Sequence, residues 1–320
     1  MPGLKLMSAK KAGKVLVYFM AAVVISIALL LAWLSWDSAR PRDKWFGDRQ
    51  GRIDTVVVEE SSLEEGQHSE TVSLKSDSGL EVSFRIVREA SASAVPVLLV
   101  LGGHQTGSDA VDLFGDVGHR AVVGMDYPYD ETDEANGIIR IARTIPRARR
   151  AILDTVPAVS LIMDWLVKEA WVDRDKIVIV GASLGVPFAA AAAARDPRIT
   201  GVMLVHGAVD IRLWLQVQVA RRIETQFLHY PLAKVLYWLA YGPVFDTSKH
   251  IAAVSPRPVL IVGARDDERT PPGQAEALFD SAGKPKRLRY TEGQHVQPDR
   301  NTIITELFRI ADEEMQFLTQ

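Results

Sequence analysis

The chain has 320 residues, 48% of them hydrophobic, and a net charge of −3. That suits one large α/β domain with an appendage, excludes a disordered polymer, and speaks against a general nucleic-acid binder, which carries a basic face. There is no cysteine, which excludes disulfides, thiolate nucleophiles and cysteine-ligated zinc or iron–sulfur centres.

Val15 to Trp36 reads VLVYFMAAVVISIALLLAWLSW, without one charged side chain. As a helix it is about 33 Å long, enough for a bilayer core of about 30 Å. Trp33 and Trp36 stand at its far end, where indole rings favour the membrane interface. The preceding segment, residues 1–14, carries Lys5, Lys10, Lys11 and Lys14, and Arg40, Arg42, Lys44 and Arg49 follow the run, so the flanking charge is nearly balanced. A basic start before an apolar run also resembles a signal sequence, but this run is long for one and no small-x-small cleavage site adjoins Trp36. The expectation is an uncleaved single-pass anchor over 15–36, with the membrane as a partner and the remainder outside the cytoplasm. Residues 37–52 (DSARPRDKWFGDRQGR) read as a polar linker. Removal of residues 1–37 is therefore expected to leave a folded domain, which spans 53–320.

From residue 53 strands and helices alternate. IDTVVVEE and TVSLKSDSGLEVSFRIV read as early strands, with Asp77-Ser78-Gly79 as a hairpin turn. VPVLLVLGG (95–103) and AVVGMDYP (121–128) are continuous apolar runs, as in strands buried on both faces. Residues 107–118 are expected to form a helix, as are 147–170, with Pro157 as an irregularity. Strands are then expected at KIVIVGASLG (176–185), GVMLVHG (201–207), PVLIVGA (258–264) and RLRYTEGQH (287–295), and a last helix at 302–317. This order implies a mainly parallel sheet covered by helices on both faces. Residues 208–252 interrupt it with a helical, aromatic-rich insertion, placed as a cap over the strand ends. Its Trp214, Phe227, Tyr230, Tyr237, Trp238 and Tyr241 would line a pocket, lean on a membrane, or pack the cap onto the core; packing is favoured for most of them.

Gly181-Ala182-Ser183-Leu184-Gly185 lies between the strand KIVIV and an alanine-rich helix, the strand–turn–helix setting of a nucleophile elbow. Such a turn is sharp, so the residues beside the serine must be small. Its hydroxyl then sits at a helix N-terminus, where the dipole favours developing negative charge. Asp266 and Asp267 follow a later strand, and an acid there can orient an imidazole and stabilise its cation. His295 follows the last strand, and histidine suits general acid and base duty near neutrality. Among other candidates, Asp210 reads as a helix N-cap, His206 as a packed core histidine and Asp126 as a turn residue. There is no H-E-x-x-H, Walker loop or G-x-G-x-x-G, so no metal or organic cofactor is implied.

With Ser, Asp and His in that chain order, and with WVDRDKIVIVGASLG and VLIVGARDDERTPP, residues 53 to 318 resemble the α/β-hydrolase superfamily, most nearly its dienelactone-hydrolase and prolyl-oligopeptidase-like branches. The resemblance implies a serine hydrolase in which Ser183 attacks an acyl carbonyl, His295 takes its proton and Asp267 fixes the imidazole tautomer, with water resolving an acyl-enzyme. Asp267 is preferred because an acid four residues before a proline is the commoner family arrangement; Asp266 stays open. The resemblance also implies an oxyanion hole built from the N–H of Leu184 and that of Gly103 or His104. Here the histidine follows the glycines, a departure from the commoner His-Gly order. The expected substrate is a small-molecule carboxylic ester or related acyl compound. The alternatives are a serine peptidase of prolyl-oligopeptidase-like type and a catalytically silent hydrolase-fold binding module. Oligomeric state is not legible in the sequence.

Overall fold

The computed structural model describes residues 9–62, 66–90, 93–103, 106–115, 117–129 and 137–320. Helix α1 (Ala9–Ser38) leads into α2 (Asp43–Gln50) and then the strands β1 (Ile53–Ser62), β2 (Gln67–Ser76) and β3 (Glu81–Glu89). β4 (Val95–Leu101), β5 (Ala121–Met125), α3 (Gly137–Leu166), β6 (Val172–Ala182), α4 (Gly185–Arg195) and β7 (Gly201–Val205) follow. After β7 come α5 (Ile211–Ala220), α6 (His229–Leu239) and α7 (Thr247–Ala253), then β8 (Val259–Ala264), α8 (Gln274–Ser281), β9 (Lys286–Thr291) and α9 (Asn301–Leu318).

The nine strands form one sheet in the order β1-β2-β3-β5-β4-β6-β7-β8-β9. β1, β2, β3 and β5 pair antiparallel, and β5 through β9 run parallel. β4, β5 and β7 are apolar at nearly every position because helices cover both faces, which removes the alternation of a half-exposed strand. One face packs on α3, α4, α7 and α8 around Phe84, Trp165, Ile179, Phe188 and Ile261. The other packs on α9 and a 3-10 turn, Ser108–Phe114, around Val100, Val180, Met203 and Leu307. That turn replaces the helix expected over 107–118. Gly107 and Gly115 bound it with φ of 28° and 56°, a backbone that stops a helix at both ends. α3 runs unbroken past Pro146 and Pro157 and begins ten residues before its expected start.

The residues read as a linker, 37–52, are folded instead. α2 places Phe46 in the main core, and the Arg49 guanidinium grips Asp154 of α3 through two 3.0 Å bonds. α1 is exposed through its apolar length, but Leu34, Asp37 and Ser38 at its end are buried against the domain, where α1 meets α6. Asp37 accepts from Arg149 at 2.8 Å and from Arg42 at 2.7 Å. Arg149 also donates to the terminal carbonyls of α6, Trp238 and Leu239, and lies 4.1 Å from the centre of the Tyr241 ring.

A cut that removes residues 1–37 would leave Arg149 buried without its carboxylate, which bears against the expectation that they are dispensable. Uncoupling one member of a buried ion pair typically costs about 3–5 kcal/mol. Asp37→Ala is therefore expected to destabilise the full chain by about 3 kcal/mol, read as a lower denaturant midpoint; an unchanged midpoint would show that the contact is idle.

Residues 13–38 of α1 have a mean hydropathy of 2.8 over their most apolar window, none of it buried. By length and composition they meet the requirement of a bilayer span, and an N-terminal signal sequence meets the same one.

Candidate active site

The chain leaves β4 towards β5 on one side and later returns as β6 on the other. The loops after β4 and β6 therefore diverge, which opens a crevice at the carboxyl ends of these strands. Leu101 of β4 pairs with Gly181 of β6, so Gly102 and Gly103 face the turn that carries Ser183. The register continues across Ala182–Val205 and Val205–Val262 to β8 and β9, which places the ends of β6, β7, β8 and β9 on one rim.

Ser183 has a φ of 53°, the left-handed conformation that bulky residues avoid. Its N–H donates to Val205 O at 2.9 Å, and the N–H of Val186 donates to Ser183 O at 3.2 Å, closing the turn at the start of α4. The flanking glycines are required by space. A Cβ on Gly181 would lie 2.6 Å from the Ala189 Cβ, and one on Gly185 would collide with the Leu101 carbonyl.

The structure brings three of the sequence-identified residues together. His295 Nε2 lies 2.8 Å from Ser183 Oγ, and His295 Nδ1 lies 3.0 Å from both carboxylate oxygens of Asp267. A carboxylate accepts, so Nδ1 carries the proton and Nε2 offers its lone pair to the serine O–H. The imidazole is only 1% exposed. Burial alone would raise the Asp267 carboxyl. The hydrogen bond and charge of His295, with the N–H groups of Thr270 and Arg269 at 2.7 and 2.9 Å, outweigh it and hold the group below the usual carboxylate range. Asp266 is exposed; among the described residues the carboxylate bonded to the His295 imidazole is that of Asp267.

Gly103 borders the serine, since a Cβ added to it would sit 3.9 Å from the Ser183 Cβ. Leu184 directly precedes α4. His104, the other candidate donor, lies outside the described residues, as do residues 1–8 of the basic segment. The loop after β4 is held by the end of β5. Tyr127 donates its hydroxyl to Gly102 O at 2.7 Å, and Asp126 accepts from Ser108 N at 2.7 Å. Asp210 is the N-cap of α5, as expected, and accepts from Leu213 N at 2.9 Å.

The sequence reading missed the residues that hold the histidine loop. Glu268 accepts from His295 N at 2.9 Å, and Arg300 joins Glu268 at 3.0 Å and His295 O at 2.5 Å. The only signal was a charged residue beside Asp267, which reads as a solvated turn. His206, with a φ of 49°, is a buried core histidine as expected, and it also anchors this loop. Its Nδ1 accepts from Val296 N at 2.8 Å, which leaves Nε2–H to donate to Thr291 Oγ1 at 2.9 Å. His206, Asp267 and His295 offer possible ligand atoms within 4.8 Å of one another. Both nitrogens of each ring are engaged in the hydrogen bonds above, so neither imidazole has a lone pair free for a metal ion.

Burial, and next the charge of His295, push the His206 imidazole down to about 4 from its ordinary 6.5, while Asp267 and Glu268 pull the other way. Between those pH values the unfolded chain holds a proton that the folded chain lacks, so acid favours unfolding. Stability is full above about pH 6.5 and falls by roughly 3 kcal/mol by about pH 4. Urea titrations across this window should show that loss, and His206→Asn should flatten it. A wild-type profile that is already flat would acquit His206.

Residues 154–310, a stretch that holds Ser183, Asp267 and His295, match the model of the prolyl oligopeptidase family. Among solved structures, the acetyl xylan esterase from Paenibacillus sp. R4 aligns with a TM-score of 0.60 at 16% identity, over 86% of this chain and 92% of that one. Acetyl xylan esterase 1 from Thermoanaerobacterium sp. JW/SL YS485 aligns with a TM-score of 0.59 at 18% identity, over 87% and 93%. The chain has the α/β-hydrolase fold. A cold-adapted esterase from an Arctic intertidal metagenomic library shares the fold at a TM-score of 0.55 and 16% identity, over 80% of this chain and 97% of its own. No curated protein matches the sequence.

Proposed function

We propose that this α/β-hydrolase is a membrane-anchored serine hydrolase that cleaves carboxylic esters. The observation that carries the reading is the continuous chain of hydrogen bonds from Asp267 through His295 to Ser183. His295 Nε2 takes the serine proton as Oγ attacks the acyl carbonyl. Asp267 keeps the imidazole in the required tautomer and stabilises its cation. The N–H groups of Leu184 and the loop at Gly103 receive the developing oxyanion. Departure of the alcohol, protonated by His295, leaves an acyl-serine that water then resolves by the same proton route. Esterases among the solved neighbours favour an ester over an amide. The prolyl oligopeptidase match keeps a peptidase as the second reading, which a panel of aminoacyl amides separates.

The anchor is read as uncleaved because removing α1 would strand Arg149. We set the domain outside the cytoplasm because Lys5, Lys10, Lys11 and Lys14 precede the span. The test is a fluorophosphonate probe on the full chain, with the adduct located by mass spectrometry. A phosphonylated Ser183 peptide supports the reading, and a well-folded protein that takes no label refutes it.

A further inference from the structure

The cavity that opens at Ser183 holds about 560 Å³, within the usual range for a small-molecule site. Its deep walls do not come from the insertion over the strand ends. They come from the sheet face beneath the serine and from the layer that covers that face. Leu98 and Val100 of β4, Val180 of β6 and Met203 of β7 supply one wall. Leu307, Phe308 and Ala311 of α9, with Ala110 and Leu113 of the 3-10 turn, supply the other. Side chains on one face of a strand recur every second residue, so Gly102, Val100 and Leu98 mark a course of about 13 Å along β4 away from the serine. Among the described residues no charged side chain lines that course. The charged residues of the lining, Arg222 and Arg269, stand in the turn after α5 and in the loop after β8. Of the six insertion aromatics, only Trp214 lines the cavity, joined there by Leu215 and Leu236.

We propose that the site takes esters of medium- to long-chain fatty acids, with the acyl chain running down between the sheet and α9. This rests on the ester-hydrolase reading above. A deep, uncharged course that starts at the nucleophile suits the acyl side of the scissile bond, because the carbonyl must remain at Ser183 while the chain extends inward. A short acyl group such as acetyl would leave most of the cavity unfilled and gain little from apolar burial. Each methylene buried there should raise kcat/KM about fourfold.

The test measures kcat/KM for p-nitrophenyl acetate, butanoate, octanoate and dodecanoate on the full chain in nanodiscs, beside fluorophosphonate labelling of the same sample. The expected result is a steep rise from acetate to octanoate. Ala311→Phe should cut the octanoate-to-acetate ratio more than tenfold by filling the deep wall. If that variant misfolds, Ala110→Leu adds less volume at the same depth and should lower the ratio in the same direction. Labelled protein that turns over acetate as well as or better than octanoate overturns this proposal and leaves the hydrolase reading intact. A ratio unmoved in folded, labelled variants likewise places the chain elsewhere. Folded protein that neither labels nor cleaves any of the four esters overturns the hydrolase reading, and this inference with it.

Discussion

Ser183→Ala is expected to abolish fluorophosphonate labelling and to lower kcat for ester cleavage by about 10⁴- to 10⁶-fold. Loss of the nucleophile in a serine hydrolase removes the whole covalent route, because the base and the oxyanion donors have nothing left to activate. The residual rate belongs to water attack assisted by the remaining donors. The substitution is mild for the fold, since alanine is no larger than serine. It does remove the Oγ partner of His295 Nε2 and keeps the strained φ of 53°. Circular dichroism and the denaturant midpoint should stay near wild type, so lost labelling reports chemistry. Undiminished labelling in the variant would move the nucleophile to another side chain.

Asp267→Asn should lower kcat by about 10⁴-fold with KM little changed, while Asp266→Asn stays within about threefold. The carboxylate accepts from Nδ1–H and from the N–H groups of Arg269 and Thr270. An asparagine that turns its oxygen towards those N–H groups presents its NH₂ to the imidazole. His295 then keeps its proton on Nε2, where it blocks acceptance from Ser183. The neighbouring Asp266 projects from the surface and serves as a control for local charge. Equal damage from both changes would show that negative charge in the loop matters more than the contact with His295.

The elbow was legible because its geometry tolerates so few residues. Both glycines of Gly181-x-Ser183-x-Gly185 are forced by contacts that any Cβ would violate. The acid and the histidine were legible because each follows a strand end in a fixed order, and the parallel register brings those ends to one rim. The choice between Asp266 and Asp267 turned on one step of backbone, and the structure decides which carboxylate meets the imidazole. The deep cavity was not legible, since its shape depends on how far α9 stands from the sheet, and the periodicity of either element is silent on that distance. Nor was the role of Asp37. A charge at the end of an apolar run reads as solvated until Arg149, more than a hundred residues away, arrives to pair with it. α2 was missed for a similar reason, because its polar composition hides Phe46, which docks it together with Trp45 and Arg49.

If α1 spans a bilayer, the grip of Arg149 on its end leaves no slack between helix and domain. α1 meets α6, and Leu236 of α6 lines the cavity at Ser183, so one short helix links the apolar helix to the cavity. On the anchored reading, the enzyme samples lipid only within its own footprint and receives ligand by lateral diffusion in two dimensions. Breaking the Asp37–Arg149 pair and inserting flexible residues between Ser38 and Asp43 would together lengthen that leash and change which molecules are within reach, while the proton route at Ser183 stays as it is.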